Sequence, residues 1–420
     1  MLNNSYICAL DIGSSKIAGA VASIKGKRIT SVSFDFLPSK GIKSGLIIDS
    51  IALVDSITKL LKSLKAKSGI NIKFVHVNIS GQDMVTKHSR AIIPLAERGN
   101  KVITASDMQR VGEQARILGS SLEEDIIHAL AYSYAIDSNA NLMNPLGLYS
   151  HRLEVDLYLI CGRLSSIQSL SRVVSQSGYE IKNLYFSGLA TSCIVSNNEL
   201  KKGLNLVCDI GSDITEILVF KDGSLKDIGI LSTGGGELTT HLSEALKIPF
   251  ELAEDIKRSH GVIGDSSHIG EEREILVKKS SLYKPIKQKF VSEVITSKAK
   301  EICSAIKDAV EKKVSLYEVD NFIVVGRTVL VEGFIETLES TLSIPVKLGR
   351  IKNPEVPPSV KEDSALSGQK YLNYLTALGI ICKALEDRTS EAGILTLHQP
   401  AKNIILKAIN KFKEVYQEYF

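Results

Sequence analysis

The sequence predicts an α/β protein built from two related halves. One sign is an apolar run that ends in a carboxylate and a small-residue turn and occurs twice, as ALDIGSS at 9–15 and CDIGSDI at 208–214. Another is the flanks: SYICAL and KIAGAVASI bracket the first copy, before the turn Lys25-Gly26 and RITSVSFDFL, while LNLVCD and ITEILVF bracket the second, before Asp222-Gly223 and SLKDIGIL. Short β-rich runs separated by Gly turns read as antiparallel strands. Finally, 420 residues exceed what one compact core accommodates.

Each copy has a physical reading. A strand ends in a carboxylate, a Gly-Ser turn exposes backbone N–H groups, and the next strand returns. Gly13 and Gly211 have no Cβ to block a close approach, so such a turn can hold a phosphate. Asp11 and Asp209 would then flank one phosphate site, and two carboxylates suit a hydrated Mg²⁺. Chance recurrence of common turns is the alternative for either copy alone; the matching flanks weigh against it.

Composition removes other classes. With 44% hydrophobic and 23% charged residues the chain reads as globular, and a net charge of +4 without a basic block interleaved with aromatics predicts no nucleic-acid partner. The six cysteines form no CxxC pair and mostly sit in apolar runs, which predicts buried, reduced thiols. No GxxxxGK[ST] loop and no strand–GxGxxG–helix unit is present. The start MLNNSYICAL lacks a signal-peptide pattern, and no apolar run reaches the roughly 18 residues of a spanning helix.

With these residues in hand, the chain resembles the actin-like ATPase superfamily and, within it, the FtsA family of bacterial cell-division proteins. The phosphate loops map to Asp11-Ile12-Gly13-Ser14-Ser15-Lys16 and to Asp209 through Thr215, including Gly211, Ser212 and Asp213. The adenosine loop maps to FIVVGRTVLVEG, with Gly326, Arg327 and Gly333, and the connecting helices to SGLATS and TALGII. FtsA-like stretches extend further: SKGIKSGLIID, YAIDSNANLMNPLGL, LYFSGLATS and STGGGELTTHLSEALKIPFELAEDIKRSHG. The resemblance implies an actin-like two-lobed fold of duplicated ribonuclease H-like domains with the FtsA-type 1C insertion, and it implies ATP and Mg²⁺ as cofactors, with Asp11 and Asp209 as catalytic and metal residues.

Three departures accompany it. Arg327 replaces the usual second glycine of the adenosine loop, Ser212 and Asp213 stand where small residues are usual, and Ser187 begins a connecting helix where several relatives place a water-positioning side chain. Together they predict nucleotide binding with weak or no ATPase activity. Glu254 and Lys257, spaced i, i+3, share a helical face as ribose ligands or as a surface ion pair. Gly235 and Gly236, after Gly234, precede a helical stretch whose N–H groups can face phosphates, and three ordered glycines predict a close backbone contact.

The expected organisation is subdomain 1A at 1–82 and 164–200, 1C at 83–163, 2A at 201–236 and 316–385, a helical 2B at 237–315, a linker at 386–399 and a final helix at 400–420. Leu53, Val54, Ile57, Leu60, Leu61 and Leu64 predict an amphipathic helix in 1A, and Ser106-Asp107-Met108-Gln109 reads as the capping box of a helix in 1C. Between 401 and 420, Ile405, Ile409, Phe412, Tyr416 and Tyr419 form an apolar stripe flanked by lysines. The resemblance makes this a membrane-surface helix; packing on the body or a coiled coil is the alternative. The run KKSSLYKPIKQK at 278–289 carries five lysines and no acid, and suits either an acidic peptide or a solvated loop.

The implied function is an actin-like ATP-binding division protein that polymerises on the cytoplasmic face of the inner membrane at the septum. It would bind the FtsZ C-terminal peptide through 2B, other divisome proteins through 1C, and the membrane through 401–420. One alternative is a scaffold similar to PilM of type IV pili, without turnover. Another is a sugar or acetate kinase of the same superfamily, for which the sequence offers no catalytic base.

Overall fold

The computed structural model describes residues 5–96, 99–137, 139–196, 201–265, 270, 273–279 and 282–389. They divide into two units: residues up to 194 with 353–363 and 374 onward, and residues 195–352 with 364–373.

The first unit is built on a five-stranded sheet in the order Glu180–Phe186, Phe74–Ile79, Ser5–Ile12, Lys16–Lys25, Arg28–Pro38. The last three are antiparallel and the first two run parallel to Ser5–Ile12. The second unit repeats the plan: Val346–Leu348, Val319–Val325, Leu204–Ile210, Thr215–Lys221, Ser224–Leu231, again two parallel strands followed by an antiparallel meander. The duplication expected from the two turns is therefore a duplication of sheet topology. Both hairpin turns use the backbone their sequences favour: Gly26 has φ 64 at the first position of one two-residue loop, and Asp222 (φ 49) with Gly223 (φ 77) fill the other. Such left-handed turns match the twist of the strands they join.

Helix Ser50–Ser68 buries Leu53, Ile57, Leu60, Leu61 and Leu64 against the first sheet, while Asp49 caps its N-terminus through Ile51 N and Ala52 N and Gly69 (φ 69) ends it. The stripe matches the predicted one except that Val54 is only half-buried. Helix Leu375–Thr389 packs on strands Ser5–Ile12, Lys16–Lys25 and Phe74–Ile79 of the same unit. Its residues, which the sequence reading assigned to 2A up to 385 and to the linker from 386, and residues 353–363, assigned to 2A, fall in the first unit, where Leu375, Leu378, Ile381 and Leu385 are buried.

Between Phe74–Ile79 and Glu180–Phe186 the chain inserts a four-stranded antiparallel sheet, ordered Asn139–Leu142, Glu124–Ile136, Arg152–Arg163, Met84–Pro94, with helix Ala105–Leu118 over one face. Ala91, Ile93, Val155, Leu157 and Leu159 meet Met108, Val111 and Ala115 in its core. The helix begins two residues before the predicted start. Thr104 is the cap and Asp107 closes the box, since the Asp107 carboxylate reaches back to the Thr104 N–H at 3.1 Å. Within the stretch YAIDSNANLMNPLGL, Asn139–Leu142 is a short strand.

In the second unit, helices Gly235–Leu246, Phe250–His260, Gln288–Glu311 and Phe334–Leu342 enclose a core in which Val291, Ile295, Ala299, Ile302, Ile306 and Val310 form one stripe. The segment expected to be helical also holds a hairpin, Glu274–Lys279 with Leu282–Lys287, so most of the lysine run is strand. All six cysteines are free, and burial pushes the Cys161 thiol to about 11 and that of Cys303 to about 12, as expected for reduced core thiols. The 1–4, 390–399 and 400–420 segments, with the linker and terminal helix, lie outside the described residues.

Leu60 is fully buried. Leu60→Ala is expected to lose about 2–5 kcal/mol of stability, read as a lower urea midpoint; a loss within about 0.5 kcal/mol, as for surface changes, would remove it from the core.

Candidate functional site

Asp11 ends strand Ser5–Ile12 and is only 7% exposed. A carboxylate there would shed its charge unless partnered. Lys16 Nζ lies 2.6 Å from Oδ2, and Asn78 Nδ2 donates to Oδ1 at 3.1 Å. Lys16 can reach because the turn closes tightly: Gly13 N–H donates to the Lys16 carbonyl at 3.0 Å, folding the loop onto the strand end. Ser14 Oγ accepts the Ser44 N–H at 3.0 Å, and the Ser15 carbonyl accepts from Ser39 N at 3.2 Å. The first loop is thus preorganised.

Asn78 was not among the expected residues. Its carbonyl oxygen accepts the Ile12 N–H at 2.6 Å, and its amide also donates to Ser187 Oγ at 3.0 Å. The signal was a lone amide near the end of the strand KFVHVNIS, whose buried position demands partners. Ser187 opens helix Ser187–Val195 and donates to the Ile79 carbonyl at 3.3 Å. Its hydroxyl is thus engaged on both sides.

The second loop repeats the turn in the other unit: Gly211 N–H donates to the Ile214 carbonyl at 2.9 Å. A further segment fastens it. Thr328 Oγ donates to the Gly211 carbonyl at 2.7 Å, and Gly326 (φ 92) brings the adenosine loop so close that a Cβ there would lie 2.3 Å from the Ile210 carbonyl oxygen and 2.8 Å from Asp209. Arg327, directly after it, has ordinary helical dihedrals and starts the turn Thr328–Leu330. Thr328, too, was not foreseen.

Three of the expected ligands have partners within the second unit. Gly235 N–H donates to the Gly211 carbonyl at 2.9 Å and Gly236 N–H to the Ser212 carbonyl at 2.7 Å, so these amides tie the loop to helix Gly235–Leu246 instead of standing ready for a phosphate. A Cβ at Gly234 would meet Gly211 O and Ser212 O at 2.6 Å, which is the close approach expected of the triple glycine. Thr215 is fully buried and gives its hydroxyl to the Thr233 carbonyl at 2.8 Å, so it supports the turn from within. Asp213 Oδ1 accepts from Ser212 Oγ at 2.9 Å and sits 3.1 Å from the Cβ position of Gly236, over the first turn of the helix, where the macrodipole favours a negative charge.

Glu254 and Lys257 do pair, at 2.6 Å, but not as a surface pair: Lys257 is 6% exposed. Its ammonium also donates to the Gly235 carbonyl at 2.9 Å and to Thr239 Oγ at 2.7 Å, joining helix Phe250–His260 to the start of Gly235–Leu246. Burial alone would raise the Glu254 carboxyl, yet the Lys257 charge, the Thr239 hydroxyl and Arg258 together hold it below the ordinary value of 4.5. Burial lowers the Lys257 ammonium, and Glu254 offsets only part of that. Of the expected ligands, Asp11, Gly13, Ser14, Ser15 and Lys16 gather in one unit and the remainder in the other.

Glu254→Gln leaves the Lys257 charge buried without its counter-ion and is expected to cost about 3 kcal/mol. Because the folded carboxyl is depressed, its contribution is present above pH 4.5 and declines as pH falls through the folded value. Urea titrations across that range check both; equal acid sensitivity of variant and parent would refute the pairing.

Comparison with known proteins follows the same division. The family model described as cell division protein FtsA matches residues 206–379, and the model for the SHS2 domain inserted in FtsA matches 81–161, the inserted sheet and its helix. The chain is 26% identical over 353 residues to cell division protein FtsA of Borreliella burgdorferi, covering 83% of this chain and 85% of that one. It is 25% identical over 393 residues to that of Pseudomonas aeruginosa, covering 92% and 91%. Among solved structures, the PilM–PilN type IV pilus biogenesis complex superposes with a TM-score of 0.62 at 14% identity, covering 90% of this chain and 98% of that one. MreB5 of Spiroplasma citri bound to ADP does so at 0.51 with 11% identity, covering 91% and 98%. The fold is therefore actin-like, and with two models of one family matching both the insertion and the second unit, the chain belongs to the FtsA family of cell-division proteins.

Proposed function

We propose that the chain binds ATP with Mg²⁺ through both repeated loops, polymerises, and links FtsZ to the cytoplasmic face of the inner membrane at the division septum. The observation that carries this is the repeated turn, Gly13 N–H to Lys16 O and Gly211 N–H to Ile214 O, each placed directly after a strand-end carboxylate, in a chain of the FtsA family. The MreB5 structures are described as bound to ADP and to AMPPNP, which supports the same ligand class.

The donor set of the first loop fits a hydrated Mg²⁺, which takes one or two carboxylates together with water and phosphate oxygens. Asp11 would hold it, with Asp209 as the second carboxylate, and the ion would neutralise phosphate charge. Lys16, now on Asp11, is placed to move to a phosphate oxygen. Ser14, Ser15 and Ser212 would contact the phosphates, Gly326 and Arg327 the adenine, and Glu254 the ribose beside Lys257. Weak or absent hydrolysis follows from Ser187, whose hydroxyl is held by Asn78 and Ile79 and is no base for water.

The remaining assignments rest on the family. The FtsZ C-terminal peptide would dock on 237–315, other divisome proteins on 83–163, and residues 401–420 would lie on the membrane as a peripheral anchor; no described helix is long and apolar enough to span it. The likeness to PilM carries the shared fold, while the family models carry the division role.

Titration calorimetry of intact protein with Mg-ATP is expected to show binding, and an Arg327→Gly variant to bind at least as well; no heat from either would refute the nucleotide reading. Lys16→Ala should weaken binding about ten-fold or more, the worth of one charge-assisted hydrogen bond. Liposome flotation with and without residues 401–420 tests the anchor, and much weaker binding on deletion is the expected outcome.

A further inference from the structure

The two ends of the first unit's sheet differ in charge. One end carries Asp11 and the first loop. At the other, strand starts and helix ends meet: Ser5 pairs with Ile24, Lys25 with Arg28, and Glu180 with Phe74, while helix Leu375–Thr389 arrives with the Arg388 guanidinium donating to the Tyr6 carbonyl at 3.0 Å. Lys25, Lys27, Arg28, Lys65, Lys73 and Arg388 are all exposed there. Among the described acids at this end, Asp387 accepts from Tyr185 at 2.8 Å and Glu180 is exposed.

Within this basic rim opens a cavity of about 380 Å³ lined by Ser5, Tyr6, Phe74, Lys182 and Arg388 among others. Phe74 is 40% exposed beside it, and Tyr6 is fixed by the Lys73 and Phe74 N–H groups, which donate to its hydroxyl at 2.8 and 3.1 Å. A guanidinium and an ammonium at the mouth of a mainly apolar recess suit a phosphate diester with an apolar neighbour, and an exposed aromatic beside them suits the headgroup zone of a bilayer. The last described residue, Thr389, also lies on this face.

We propose that this basic end of the first unit docks on an anionic phospholipid surface, with Arg388 and Lys182 taking a headgroup phosphate and Lys25, Arg28 and Lys73 facing the leaflet. It rests on the membrane reading above and deepens it: the body contributes a second, electrostatic contact alongside the terminal helix. One amphipathic segment binds weakly and reversibly, whereas two contacts tethered together multiply. Each cation at an anionic surface adds roughly a five-fold increase in binding, and salt screens it. The first phosphate loop, at the opposite end of the strands, stays accessible.

The test is co-sedimentation of the full chain with phosphatidylcholine vesicles, with and without phosphatidylglycerol, at low and high salt. The variants are Lys25→Glu/Arg28→Glu/Lys73→Glu, the same positions as Lys25→Arg/Lys73→Arg, and a deletion of 400–420. Expected are a loss of about ten-fold or more in anionic-vesicle binding for the charge reversal, with a shallower salt dependence, retention in the arginine variant, and residual salt-sensitive binding in the deletion. Circular dichroism and thermal melting show that each variant folds. Binding of the charge reversal within about two-fold of the parent, while the deletion still abolishes it, overturns this inference and leaves the membrane reading standing. Absence of parent binding to any vesicle overturns both, and binding to immobilised polyglutamate but not to vesicles assigns the face to an acidic protein instead.

Discussion

A carboxylate at the buried end of a β-strand is tolerable only if the chain supplies its counter-charge and its hydrogen bonds, and most of the first unit's architecture serves Asp11 in this way. The Gly13 turn must be tight enough for Lys16 to fold back, and strand Phe74–Ile79 must lie alongside so that Asn78 reaches both Asp11 and the Ile12 N–H. Asn78 in turn orders Ser187 at the head of a helix. Sheet order, turn geometry and helix placement are thus coupled through one buried ionised group, whose desolvation would otherwise be prohibitive.

The second unit meets the same topology with a different solution. Its loop is held from outside by carbonyl acceptors: Gly211 O takes both the Gly235 N–H and the Thr328 hydroxyl, and Ser212 O takes the Gly236 N–H. Glycines at 234 and 326 are needed because the carbonyls of Ile210, Gly211 and Ser212 leave no room for a Cβ, and a Cβ at Gly235 or Gly236 would meet the Thr328 or Ser212 side chain. The buried Lys257 then draws its own helix onto the carbonyl of Gly235. Equal sheets therefore carry loops of unequal electrostatics, one anchored by an ion pair and one by a backbone lattice.

The family's cell-division role explains why such care is spent on two short turns. Loops that are ordered before any ligand arrives do not consume binding energy in becoming ordered. The insertion, with its own core under helix Ala105–Leu118, folds around separate apolar contacts and leaves that loop geometry undisturbed.

The sequence by itself determined the repeated turn, the meander strands and the amphipathic stripe from Leu53 to Leu64, because periodicity and turn chemistry act over a few residues. Tertiary structure alone decided that Asn78 partners Asp11 from 67 residues away, that the amides of Gly235 and Gly236 are consumed by the second loop, that Thr215 faces inward, and that helix Leu375–Thr389 returns to the first unit. Thr104 in place of Ser106 as a helix cap shows the boundary between the two: both residues can cap, and only the reach of Asp107 to one backbone N–H selects. Long-range hydrogen bonds leave no periodic trace in a chain, since their partners are set by which strands lie side by side and not by spacing along it.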